Sequence, residues 1–112
     1  MNRNALIYAT LIGLVLQLIM VIGGHFNAAL AAQFALVGML ISLVAGLLYG
    51  RKARGGWSDS LIGGALAGGI CALIGIAVSF VLGDVLAMIL VVGTIGSAVA
   101  GLIGGAIAKI IP

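Results

Sequence analysis

The sequence predicts an all-α membrane protein. Four transmembrane helices form two tandem hairpins, related as a parallel repeat, with both termini cytoplasmic. Three observations carry this prediction. Of 112 residues, 64% are hydrophobic and 6% charged, with a mean hydropathy of +1.44; a soluble domain has about 25% charged residues and needs them to cover a water-facing surface. The apolar residues fall in four runs, each long enough to cross a hydrocarbon core of about 30 Å at about 1.5 Å per residue. With four crossings, all 5 Lys and Arg residues fall on the same side, which the positive-inside rule makes cytoplasmic.

The first run, Ala5 to Ile22, is interrupted only by Thr10 and Gln17. Arg3, this apolar core and Ala29-Leu30-Ala31 have the outline of a cleavable leader. The run is longer than a leader core, so it reads as the first span. Gly23-Gly24-His25-Phe26-Asn27 is expected to break it, and the second run goes from Ala28 to Tyr49. Residues 51–59 form a basic cytoplasmic hinge between a first hairpin, 1–50, and a second, 60–112. Arg51, Lys52 and Arg54 set topology there and face lipid headgroups, with Trp57 and Tyr49 in the interfacial aromatic belt. Ser58 or Asp59 is expected to cap the third helix. That helix runs from Ser60 to Leu82, Gly83-Asp84 makes a turn, and the fourth run spans Val85 to Ala108 before Lys109.

A shift of 55 residues lays 37–50 over 92–105 with eight identities in fourteen positions. The offset is about half the chain, so each half would be one hairpin starting on the same side, a parallel rather than an inverted repeat. Small residues recur every four positions, on one helix face. The second helix has Gly38, Ser42, Gly46 and Gly50. The third has Gly63, Ala67, Cys71, Gly75 and Ser79, with Gly64, Gly68 and Ala72 alongside. The fourth has Gly93, Ser97, Gly101 and Gly105, with Gly96, Ala100, Gly104 and Ala108 alongside; the first has Ala5, Ala9 and Gly13, ending at Gln17. In lipid, apolar area does not drive helices together, whereas small residues let backbones approach. These stripes read as helix-packing surfaces, serving the bundle alone or also a homo-oligomer or a larger membrane complex.

Gln17 and Gln33 are amides in apolar surroundings that need hydrogen-bond partners, and they could supply them to each other. With Asp84 and His25 at the outer turns they are also the residues for a polar pathway. Cys71 lies mid-membrane and reads as a packing residue. No acid pair, metal-ligand spacing, nucleophile with a base, or phosphate loop occurs, so neither an enzyme nor a cofactor is expected. The net charge of +3 is grouped at the hinge and the chain ends, which suits topology better than nucleic-acid binding.

The pattern Ala45-Gly46-x-x-x-Gly50-Arg51-Lys52-Ala53-Arg54-x-Gly56-Trp57, running into Leu61-Ile62-Gly63-Gly64, resembles a group of small glycine-rich four-helix bacterial membrane proteins. The resemblance implies an inner-membrane location and no particular activity. Small multidrug-resistance transporters differ by a membrane-embedded glutamate in their first helix, and this chain has no glutamate; dual-topology fluoride channels differ by lacking a charge bias. Two functions remain as expectations: a structural or accessory subunit packed through its small-residue stripes, or a small oligomeric channel or transporter for an ion or small solute.

Overall fold

A computed structural model describes residues 2–27, 29, 34–83 and 87–111. Among these residues lie four long helices: α1 (Arg3–Phe26), α2 (Phe34–Ala53), α3 (Trp57–Val81) and α4 (Ala87–Ile110). Each is long and apolar enough to cross a membrane, and together they form a bundle 40 Å long and 21 Å across. The helices alternate in direction, as contacts at both levels show. Asn2 meets Tyr49 and Ser60 meets Gly105 at one end, while Gln17 meets Gly38 farther along.

In cross-section the bundle is a diamond. Helices α2 and α3 form its short diagonal; α1 lies against both on one side and α4 against both on the other, and α1 has no comparable contact with α4. The interior is made of small residues, among them Ala5, Ala9, Ala45, Ala67, Cys71 and Ala72, with Ser42, Ser60, Ser79 and Ser97. Most of the large aliphatic side chains point outward: Leu11, Val15, Ile19, Leu40, Ile62, Val92, Ile95 and Val99 are all exposed, whereas Met20 and Val21 are buried. Water would make that exterior prohibitively costly, whereas in lipid it costs little, and small inward faces give backbones their close approach.

Several element boundaries differ from the sequence expectation. Gly23-Gly24 does not break α1, which continues to Phe26 and ends where Asn27 turns extended (φ −137°). Glycine in an apolar helix weakens it by only about 1 kcal/mol, and Gly24 is buried against the bundle. At the other end Asn2, whose side chain accepts from the Ala5 N–H at 3.0 Å, caps α1.

The hinge 51–59 shrinks to three non-helical residues, 54–56. Helix α2 runs on through Arg51 and Lys52, whose charges suit the negative end of its dipole. Arg54 then takes a left-handed conformation (φ 54°), with its N–H bonded to the Gly50 carbonyl at 3.3 Å. Helix α3 begins at Trp57, so neither Ser58 nor Asp59 is its cap. The capping residue is Gly56, which offers no side-chain bond, and Asp59 sits inside the first turn. Tyr49 is not in the aromatic belt: it is fully buried, whereas Trp57 is 52% exposed.

Candidate functional site

The polar chemistry collects at two levels. The first is a network centred on Gln17, which is 2% exposed. Ala5, Ala9, Gly13 and Gln17 are buried along one face of α1. Gly13 admits the Cys71 sulfur and Ala45 so closely that a Cβ there would lie 2.9 Å from Sγ. One turn on, Gln17 lies over Gly75, where a Cβ would sit 2.9 Å from the Gln17 Cβ. Gln17 Nε2 donates to the Gly38 carbonyl at 3.2 Å and to Ser42 Oγ at 3.3 Å. Ser42 Oγ donates in turn to the Gly68 carbonyl at 3.1 Å, and Cys71 Sγ to the same carbonyl at 3.3 Å. The chain therefore carries a hydrogen-bonded thread from α1 through α2 to α3. It holds no ionisable acid–base pair, and among the described residues no group of three His, Cys, Asp or Glu could hold a metal ion.

The thread runs beside close backbone approaches between α2, α3 and α4. Gly46 of α2, Gly64 and Gly68 of α3 and Gly101 of α4 meet at one node. A Cβ on Gly68 would lie 2.9 Å from Gly101 Cα and 3.0 Å from both the Ser42 and Ser97 carbonyl oxygens. A Cβ on Gly46 would run into the Gly101 carbonyl, and one on Gly104 into the Leu43 carbonyl. Of the residues expected to form packing surfaces, Gly38, Ser42, Gly46, Gly50, Gly63, Ala67, Cys71, Gly75, Ser79, Ser97, Gly101 and Gly105 are buried and Gly93 is half-buried. Their neighbours lie in the same chain. The Ser79 hydroxyl is buried and has no hydrogen-bond partner among the described residues.

The second level is the cationic end, where α1 begins, α2 ends, α3 begins and α4 ends. Tyr49 Oη lies 3.0 and 3.2 Å from the two Asp59 carboxylate oxygens, donating its proton there, and accepts the Asn2 N–H at 3.2 Å. Its ring fits because Gly63 of α3 has no side chain. Ser60 Oγ donates to the Gly105 carbonyl and Lys109 Nζ to the Gly55 carbonyl, both at 2.6 Å. Lys52 Nζ stands 4.6 Å above the Tyr8 ring. Residue type alone misses the Tyr49–Asp59 pair. The signal that could have found it is the small residue Gly63, in the α3 stripe beside Asp59.

Gln33 and Asp84 lie outside the described residues, so neither the Gln17–Gln33 pairing nor the Asp84–His25 pairing is described. Gln17 has other partners. His25 is exposed in the last turn of α1, edge-on to the Phe26 ring at 5.0 Å.

Architecture and site together define a membrane-spanning helical bundle with a small-residue, hydrogen-bonded interior and one cationic end. Comparison of the chain with protein-family models, curated proteins and solved structures finds no match.

Proposed function

We propose that this is a non-enzymatic integral membrane protein that works as a structural or accessory subunit, as a homo-oligomer or within a larger membrane complex. The observation that carries the reading is the way the interior is used. Small faces fill one another, and the buried amide of Gln17 is bonded to Gly38 and Ser42. Contacts with a second copy or a larger complex then fall to the aliphatic exterior, where packing rather than apolar burial sets affinity.

The finer topology belongs to the same proposal: cytoplasmic termini, a bacterial inner membrane, and two hairpins descended from one. Supporting the duplication, equivalent positions of the repeat face each other across the parallel pair α2 and α4. Gly46 abuts Gly101, 55 residues on, and a Cβ on Gly50 would lie 3.4 Å from the carbonyl oxygen of Gly105, again 55 on. Such facing is what a two-fold axis along the membrane normal produces. The pairing of α2 with α3, without a like pairing of α4 with α1, marks where the halves have diverged.

A second reading, a small oligomeric channel or transporter, is favoured by the Gln17 thread. One experiment separates the two: the mass of the particle extracted into native nanodiscs, with co-purifying proteins identified. Stoichiometric co-purification of a larger membrane complex, or a homo-oligomer without ion flux in liposomes, is the expected result. A homo-oligomer that conducts moves the assignment to the second reading. A monomer of 11.1 kDa refutes both.

A further inference from the structure

We propose that α1 is a releasable helix. It leaves the groove between α2 and α3 as an intact rod while α2, α3 and α4 stay joined, and its departure uncovers Ser42 and Cys71. Two kinds of helix contact carry the inference. Around α4 the helices meet backbone to backbone. A Cβ on Gly46 of α2 or Gly64 of α3 would run into the Gly101 carbonyl, one on Gly104 into the Leu43 carbonyl of α2, and one on Gly105 into the Ser60 carbonyl of α3. Helix α4 is thereby keyed into both of its neighbours. Against α1 the glycines meet side chains instead. A Cβ on Gly13 would face Cys71 Sγ and Ala45 Cβ, one on Gly38 would face Gln17 Oε1 and Met20 Cε at 3.6 Å, and one on Gly75 the Gln17 Cβ at 2.9 Å. Side chains such as Gln17 and Met20 yield by changing rotamer, whereas interlocked backbones have no such freedom.

Polar clasps to α2 hold α1 in its place. The Asn2 N–H donates to Tyr49 Oη at 3.2 Å, Lys52 Nζ stands 4.6 Å above the Tyr8 ring, and Gln17 Nε2 donates to the Gly38 carbonyl and to Ser42 Oγ. In water, lifting α1 away would expose an apolar groove at great cost. In lipid the acyl chains solvate that groove, so packing and hydrogen bonds decide whether the helix stays. The outer face of α1, with Leu11, Val15 and Ile19, is already exposed, and α1 has no contact with α4 comparable to those it makes with α2 and α3. Sideways exit therefore leaves the keyed contacts of α4 intact. Elements that move are drawn from the least stable part of a fold, and the difference in contact type puts α1 there. Cys71 is fully buried and its sulfur lies against Gly13, so the thiol reports whether α1 is seated.

The test sets two full-length variants against each other. Gln17→Leu/Tyr8→Leu removes two clasps from α1 and leaves α2, α3 and α4 unaltered. Gly101→Ala loosens α4 instead, and overpacking of its backbone contacts makes it the larger perturbation of overall stability. Each protein is held in dodecyl maltoside without SDS, exposed to N-ethylmaleimide for a fixed time, and labelled Cys71 is counted by intact mass. The α1 variant is expected to carry roughly 15-fold more label than the unaltered protein, about fivefold for the amide and about threefold for the ring. Gly101→Ala is expected to stay close to the unaltered protein. Label in Gly101→Ala equal to or above that in the α1 variant would mean that Cys71 is reached only when the whole bundle opens, which overturns the proposal. No gain of label in the α1 variant overturns it as well. Circular dichroism before labelling checks that each variant is folded. If the double α1 variant is not, Tyr8→Leu alone, at an exposed residue, against Gly101→Ala carries the same test with a gain of about threefold.

Discussion

Gly101 gives the sharpest test of the packing. An alanine there places a Cβ 3.0 Å from Gly68 Cα and 3.1 Å from the Gly64 carbonyl carbon, and closer still to the Gly64 oxygen. Carbon atoms in contact prefer about 3.5–4.0 Å, so α4 has to retreat from α3 by something on the order of 1 Å. No flexible side chain can yield instead, because every colliding atom is backbone. Nor can α4 shift freely, since the Gly101 carbonyl abuts Gly46 of α2. Overpacking costs typically about 1–3 kcal/mol, and a node pinned by backbone from two helices belongs at ~3 kcal/mol.

The control lies in the same helix: a Cβ on Gly96 meets only the flexible Met39 Cε at 3.7 Å, so Gly96→Ala is expected to be neutral or to stabilise by up to about 1 kcal/mol. The assay is reversible unfolding in mixed dodecyl maltoside and SDS micelles, followed by far-UV circular dichroism. Equal transition midpoints for the two variants would refute the close approach of α4 to α3.

Three further outcomes follow from the site. Gln17→Leu removes both donor bonds of the amide but leaves Ser42 bonded to Gly68, so a loss of about 1 kcal/mol is expected in the same assay, with coupling to Ser42→Ala in a double-mutant cycle. Independent effects of the two substitutions would rule out the thread. Tyr49→Phe strips Asp59 of a hydroxyl donor and Asn2 of its acceptor, and should cost about 1–3 kcal/mol; a neutral Tyr49→Phe would show that the buried ring, not the hydroxyl, matters. Cys71 is fully buried, so its thiol should react with a maleimide only after SDS unfolding, and rapid labelling of the native protein in mild detergent would contradict that burial.

The four helices were legible because each apolar run exceeds what a soluble core helix needs, a signal independent of partners. The helix ends were less so. Gly23-Gly24 looks like punctuation by the habits of soluble proteins, but a double glycine inside an apolar helix also makes a docking notch, and the terminator proved to be Asn27. The hinge was overestimated for a related reason: Arg51 and Lys52 look like loop residues by charge, yet they continue α2 because cations favour a helix C-terminus. Gln17 was conspicuous as an amide among aliphatics. Its partners were not, since two of the acceptors on its thread, at Gly38 and Gly68, are backbone carbonyls that every residue carries. Tyr49 was assigned to the interface by residue type, and only the absence of a side chain at Gly63 makes room for it inside.

The corner position of α1 has a consequence for how the protein is made. Helix α1 precedes the other three in the chain, yet the acceptors of the Gln17 amide at Gly38 and Ser42 belong to α2, 21 and 25 residues later. At a synthesis rate of ~5–20 residues per second the amide waits roughly one to five seconds before these partners exist. During that time its only shelter is water, the insertion machinery or lipid headgroups. Once α2 and α3 are in place, α1 can dock sideways against their shared groove without threading past α4. The order of the helices in the chain is therefore compatible with assembly from an edge, and the most polar of the buried side chains on α1 is the one that reports when docking is complete.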